Sequence, residues 1–237
     1  MKKILLQLLL AFSIGIVGGI FGDQILWPYL VERPLFQQYR LEQNPVYVTE
    51  REEIFIQENT ALQEAIDKVK DTVVGLTVTT GSGMVKGSGL ILTADGLVLT
   101  LADLVPQGGE IDFFVQEEAV DFRILKRDYD NNLALVKIER NDLPTVEFAN
   151  LDELRTGERI FLVGAPPREG EAVKMANQGI VKYFDEDFIH TSIFEATSLN
   201  GSCLFDIEGR FLGLNTIDYW GRVNAIPVDQ VRDFVGF

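Results

Sequence analysis

From Ile4 to Gly22 the chain carries no charge, and only Gln7 and Ser13 interrupt the apolar run. That length suits a membrane-crossing helix, and Trp27 and Tyr29 follow where interfacial aromatic residues would sit. The run is long for a signal peptide and lacks a small-x-small cleavage site, so residues 1–22 are expected to form an uncleaved transmembrane anchor; a cleaved signal is the alternative. Lys2 and Lys3 would hold the tail in the cytoplasm. The rest of a single-pass protein of the cell membrane then lies on the extracytoplasmic side. Gly15 with Gly19 and Gly18 with Gly22 give overlapping GxxxG spacings, which could let two anchors approach closely. Residues 23–57 mix polar and apolar positions with three prolines and read as a stalk.

Next, Leu62, Ile66 and Val69 recur at helical spacing, predicting a short helix with Asn59 or Thr60 as its cap. Beyond Val73 the period shortens. Runs such as VVGLTVTT, GSGLILT, EIDFFVQ, DFRILKR and LALVKIE alternate with turn residues, and RIFLVGA, FIHTSI, CLFDI, FLGLNTI and VNAIPV continue the series. This spacing predicts an all-β protein, without choosing between barrels and sandwiches.

Composition narrows the chemistry. With 237 residues, 46% of them hydrophobic, there is ample material for a core. Lys and Arg number 21 against 36 Asp and Glu, a net charge of -15, so nucleic acid is not an expected partner. Cys203 is the single cysteine and His190 the single histidine. Neither a disulfide nor zinc-ligand spacing is available, and no metal or cofactor is expected.

Six blocks, GSGLILTADGLVLTLADLV, NNLALVKIE, RIFLVGAPP, NQGIVKYF, GSCLFDIEGRFLGLNT and NAIPVDQV, resemble in order and spacing the trypsin-like serine proteases of the HtrA/Do (Deg) type. The resemblance covers residues 60–237. It implies two six-stranded antiparallel β-barrels, residues 58–143 and 144–237, with a cleft between them. No PDZ domain is expected after Phe237.

Carried over position by position, the resemblance puts Asp103 where the family has its catalytic histidine, Asn132 where it has aspartate, and Asn200 where it has serine. Ser198 falls on the glycine two before that serine, Ser202 and Cys203 on the glycine and proline that follow. A triad needs a nucleophilic oxygen, an imidazole to carry its proton, and a carboxylate to orient the imidazole. None of the three is present, so the resemblance implies a protease homologue that does not hydrolyse peptides. Pairing of Ser202 or Cys203 with His190 would be an unorthodox route to an active endopeptidase. A metal held by Asp103, Asn132 and Asn200 would have one carboxylate and two neutral amides, a weak oxygen set. Phe194 falls at the floor of the specificity pocket, and two placements are open: a ring that fills the pocket, or one turned into the barrel core. The expected function is binding of peptide or protein, with an extended strand added to a cleft or sheet edge. A regulatory subunit of an active protease of the same family is the alternative.

Overall fold

The computed structural model describes residues 2–22, 60–81, 83–116 and 118–236. The stalk, Trp27, Tyr29 and Asn59 lie outside the described residues. The chain divides into two compact units, Met1–Ile56 and Gln57–Phe237.

In the first unit Lys2–Phe21 forms one 20-residue helix. Among the described residues no helix is long and apolar enough to cross a membrane.

The second unit opens with the expected short helix, residues 60–69. It buries Ala65 and Val69 and packs Leu62 and Ile66 against the core. The Thr72 hydroxyl then donates to the Val69 carbonyl at 2.7 Å, ending the helix in a one-turn 3₁₀ segment, Lys70–Thr72.

Seven strands follow: β1 (Val73–Thr80), β2 (Gly83–Ile91), β3 (Leu97–Leu101), β4 (Glu110–Val115), β5 (Glu118–Val120), β6 (Phe122–Asp128) and β7 (Leu133–Ile138). They make one antiparallel sheet in the order β5-β4-β1-β2-β3-β7-β6. This corrects the expected six-stranded first barrel. The two end strands are one stretch of chain bent at Asp121, whose first half pairs with β4 and whose second half pairs with β7. A backbone bond from the Glu139 N–H to the Asp121 carbonyl, 2.8 Å, holds the bend. The ring is thus completed by the chain itself at the point where it changes neighbours, and not by a ladder.

The second half matches the expectation. Strands β8 (Arg159–Gly164), β11 (Met175–Phe184), β12 (Ile189–Phe194), β13 (Cys203–Asp206), β14 (Phe211–Ile217) and β15 (Arg222–Pro227) close into a six-stranded barrel, β11-β12-β15-β14-β13-β8. A small hairpin of β9 (Pro167–Arg168) and β10 (Glu171–Ala172) interrupts it. A closing helix, Val228–Val235, unannounced by any pattern named above, buries Val228, Val231 and Phe234 and stops at Gly236 with φ 87°.

Alternation along the strands serves two cores. On β8, Phe161 and Val163 join a cluster that extends through the first sheet, while Ile160 and Leu162 face the interior of the second barrel. On β13, Cys203 and Phe205 join the former and Leu204 the latter. Phe161 and Phe205 stack at 5.5 Å. Because one strand face belongs to each core, the two halves share apolar packing. Each such fully buried ring contributes roughly 1.5–3 kcal/mol.

Candidate functional site

The turn that follows β6 is built on Asp128. Its carboxylate accepts the N–H groups of Asp130 (3.0 Å) and Asn131 (3.1 Å) and the Asn131 side-chain amide (2.8 Å). Those donors, the Asn131 amide first, hold its pKa below the usual carboxylate range. The turn ends at Asn132 with φ 52°, a left-handed conformation that Asn tolerates better than most residues. From there Asn132 Oδ1 accepts the Asp103 N–H at 3.0 Å, and its Nδ2 donates to Asp103 Oδ2 at 3.1 Å. The Asn132 carbonyl also accepts the Ala102 N–H at 3.2 Å. Asp103 sits exposed on the one-turn helix Ala102–Leu104. The two positions named from the resemblance are therefore brought together, as a carboxylate and an amide bonded to each other.

Asn200 is held differently. A one-turn helix, Thr197–Leu199, runs into it, and the Asn200 N–H donates to the Thr197 carbonyl at 3.0 Å. Its side-chain Oδ1 accepts the Ile217 N–H at 2.7 Å. Backbone bonds from the Gly201 N–H to the Asn215 carbonyl (2.9 Å) and from the Asn215 N–H to the Ser202 carbonyl (2.8 Å) continue the pairing beyond Cys203, and Asn200 meets Ile217 further along β14. Its amide oxygen thus does what a backbone carbonyl would do and adds a rung to the sheet. Meanwhile the Asn200 carbonyl accepts the Ser88 N–H at 2.9 Å, and the Ser88 hydroxyl accepts the Ala165 N–H at 2.8 Å. Ser88, fully buried, ties β2 to the loop and to the end of β8. Only glycine fits the next position: Gly201 has φ 75°, and a Cβ there would lie 2.2 Å from the Ser88 carbonyl oxygen. Ser198 is half-buried within the same turn.

No hydrogen bond joins Ser202 or Cys203 to His190 among the described residues. Ser202 is fully buried and its hydroxyl accepts the Asn215 side-chain amide at 3.0 Å. Asn215 Oδ1 meets no donor among the described residues. Cys203 is buried as well, and burial pushes its thiol pKa up, so it stays neutral and unreactive. His190 lies elsewhere on the barrel: its Nδ1 is 2.9 Å from Asn224 Oδ1, its Nε2 is 3.1 Å from Asp185 Oδ2, and its ring stacks on Tyr183 at 4.1 Å. Phe194 is 61% exposed, which overturns its placement in the core. Oxygens proposed for a metal are spent, since Asn132 Oδ1 serves Asp103 and Asn200 Oδ1 serves Ile217. Among the described residues no group of three His, Cys, Asp or Glu could hold a metal ion.

Sequence reasoning missed the partners that give these positions their roles: Ile217, Thr197 and Ser88. Their signal lies in backbone groups, which every residue carries. It also missed that Asn132, Phe188 and Thr216 line one hollow of about 280 Å³ beside the Asp103 pair.

Comparisons with known proteins agree with this architecture. A family model described as "Trypsin-like peptidase domain" matches residues 87–214. A probable periplasmic serine endoprotease DegP-like of Pseudomonas fulva is 29% identical over 62% of this chain and 33% of its own length. Serine protease HTR4 of Bos taurus is 30% identical over 62% of this chain and 33% of its own length. The chain thus spans about a third of the length of the curated relatives it matches. Among solved structures, an HtrA-type protease AlgW with tripeptide superimposes with a TM-score of 0.66 at 23% identity, covering 74% of this chain and 62% of its own. A serine endoprotease from Yersinia pestis gives 0.65 at 22%, over 74% and 65%.

Proposed function

The chain belongs to the trypsin-like peptidase domain family, and we propose that this member binds polypeptide without hydrolysing it. The observation that carries this reading is the state of Asn200. In the family's mechanism the serine oxygen attacks and its own N–H helps hold the oxyanion. Here the side-chain oxygen is spent on Ile217 and the N–H on Thr197. An amide has no ionisable oxygen, and an N–H turned into a helical turn is not aimed at a developing charge. Asp103 and Asn132 satisfy each other, with no imidazole between them. What loss of a whole triad leaves is roughly 10³ to 10⁴-fold over water.

The membrane anchor belongs to the same proposal. The uncharged sequence run Ile4–Gly22 supports it, because about 20 helical residues at 1.5 Å each span a bilayer core. On this reading Lys2 and Lys3 stay in the cytoplasm and residues 23–237 lie on the extracytoplasmic side. Protease added outside spheroplasts should then leave a membrane-held fragment. A mature N-terminus near Asp23 would show a cleaved signal instead.

The regulatory-subunit reading has an observation of its own. Tyr219 and Trp220 are 92% and 70% exposed on a turn held by the Asp218 carboxylate, which accepts the N–H groups of Trp220 and Arg222 at 2.9 Å each. Rigid exposed rings suit a folded partner.

The test is threefold. A fluorophosphonate probe should leave the protein unmodified, casein should survive long incubation, and unfolded polypeptide should be captured. Stoichiometric, fold-dependent labelling at Ser202 would overturn the non-hydrolytic reading, and capture of only a folded protease would favour the regulatory one.

A further inference from the structure

Three adjoining hollows share Gln230, on the closing helix. One, of about 280 Å³, lies between the Asn132 turn and the hairpin that joins β11 to β12. Another, of about 240 Å³, lies on the far side of that hairpin, and a third, of about 300 Å³, lies toward β6. Gln230 Nε2 donates to the Glu186 and Asp187 carbonyls at 2.8 and 3.3 Å, fixing the hairpin as the wall between the first two.

The linings combine two chemistries. Phe188 and Ile226 floor the first hollow, and Leu151, Leu154, Phe184 and Ile189 the second. Phe184 is 45% exposed there. Around these floors stand carboxylates. Some are committed: Asp185 to His190, Asp229 to Arg232 at 2.9 Å, Asp128 to its own turn. Asp130, Asp152, Glu186, Asp187 and Asp233 form no ion pair among the described residues. Neither of the first two hollows is lined by Lys or Arg. Lys126, in the third, is already spent: its Nζ donates to the Phe234 carbonyl at 2.8 Å and lies 4.2 Å from the centre of that ring.

We propose that this face docks an extended basic polypeptide, a segment that alternates Lys or Arg with apolar residues. The inference rests on the binding reading above and names the class of polypeptide bound. Charge complementarity selects the occupant. Five uncommitted carboxylates repel nucleic acid and acidic peptides alike. A Lys or Arg side chain meets both chemistries at once, its aliphatic stem lying on the apolar floor and its cation reaching the rim. Because the hairpin is clamped, little ordering cost falls on the protein.

The detergent-solubilised full chain is titrated with a fluorescein-labelled peptide of alternating Lys and Val, with its Glu-Val counterpart, and with a reduced, unfolded neutral polypeptide. The Lys-Val peptide should bind, and binding should weaken as salt rises. The triple variant Asp130→Asn, Glu186→Gln, Asp187→Asn should bind it at least ~10-fold more weakly, as loss of close charge partners implies. A control triple on the first sheet and the β9–β10 hairpin, Glu110→Gln, Glu139→Gln, Glu171→Gln, removes the same charge and should change binding by less than about twofold. Equal losses in both triples would reduce the effect to net charge and overturn the proposal. So would equal binding of the Glu-Val peptide, or no binding of the Lys-Val peptide while the neutral polypeptide is still captured. Turnover is followed in the same tubes: cleavage would sink the non-hydrolytic reading and leave the docking face standing.

Discussion

The Asp103–Asn132 pair and the Asn200 loop, which the resemblance aligns with two parts of one catalytic constellation, are built in opposite ways. On the first sheet the pair stays at the surface, and its two side chains satisfy each other. In the second barrel Asn200 is drawn into the ladder, where its amide stands in for a backbone carbonyl and its carbonyl ties the loop to Ser88. Exposure separates the two outcomes. A surface pair competes with water for its hydrogen bonds and contributes little, whereas a buried N–H such as that of Ile217 has no water to fall back on.

Substitutions should therefore cost far more on the barrel side. Gly201→Ala combines a left-handed backbone with a Cβ driven into the Ser88 carbonyl, and roughly 3–5 kcal/mol should be lost. Urea unfolding measures it, and a loss under 1 kcal/mol would mean that the loop can move away from β2. Asn200→Ala strips the Ile217 N–H of its acceptor and should cost about 1–3 kcal/mol, with faster amide exchange at Ile217. Unchanged exchange would break the comparison at its centre.

Lys174, between β10 and β11, donates from Nζ to the Val73 carbonyl. Burial lowers its pKa to about 8, against partial opposition from the Asp71 carboxylate. The folded form loses its proton first, so the unfolded chain binds more protons between pH 8 and 10.5. Stability should rise with pH across that window, by about 3 kcal/mol, and the cost of burying the charge is fully present below pH 8. Urea midpoints for the wild type and Lys174→Met should differ in that rise. Identical slopes would show that the lysine is solvated.

On the exposed side, Asn132→Gly should change stability by less than about 0.5 kcal/mol, because the lost hydrogen bonds are offset by relief of the φ 52° backbone. A loss like that of Asn200→Ala would erase the contrast. The smallest effect belongs to restoration. Asp103→His, Asn132→Asp and Asn200→Ser together should recover little or no peptide turnover, because the N–H of residue 200 still serves Thr197 and Ser198 and Ser202 still replace glycines. Rates typical of an active relative would show that the substituted side chains alone separate this chain from catalysis.

Much of this was legible in the chain. Period-two runs between turn residues announced the strands, and six ordered blocks pointed to the trypsin-like fold, of which only the second half closes as a six-stranded barrel. Phe194 was not legible, because alternation says that a strand residue faces one side or the other without saying whether that side is core or solvent. The bend at Asp121 was hidden too, because β5 before it, Glu118–Val120, is too short a run to announce a strand.

Side-chain chemistry is local, so the sequence by itself determined what residues 103, 132 and 200 are unable to supply: an imidazole, an orienting carboxylate and an ionisable hydroxyl. What they do instead was decided by the tertiary structure. Whether an amide hangs in water, pairs with a carboxylate or completes a ladder depends on which backbone groups lie 3 Å away. Asn200 acquires Ile217 and Ser88 as partners through the closure of one barrel and its contact with the neighbouring sheet, across separations of 17 and 112 residues that no local pattern encodes.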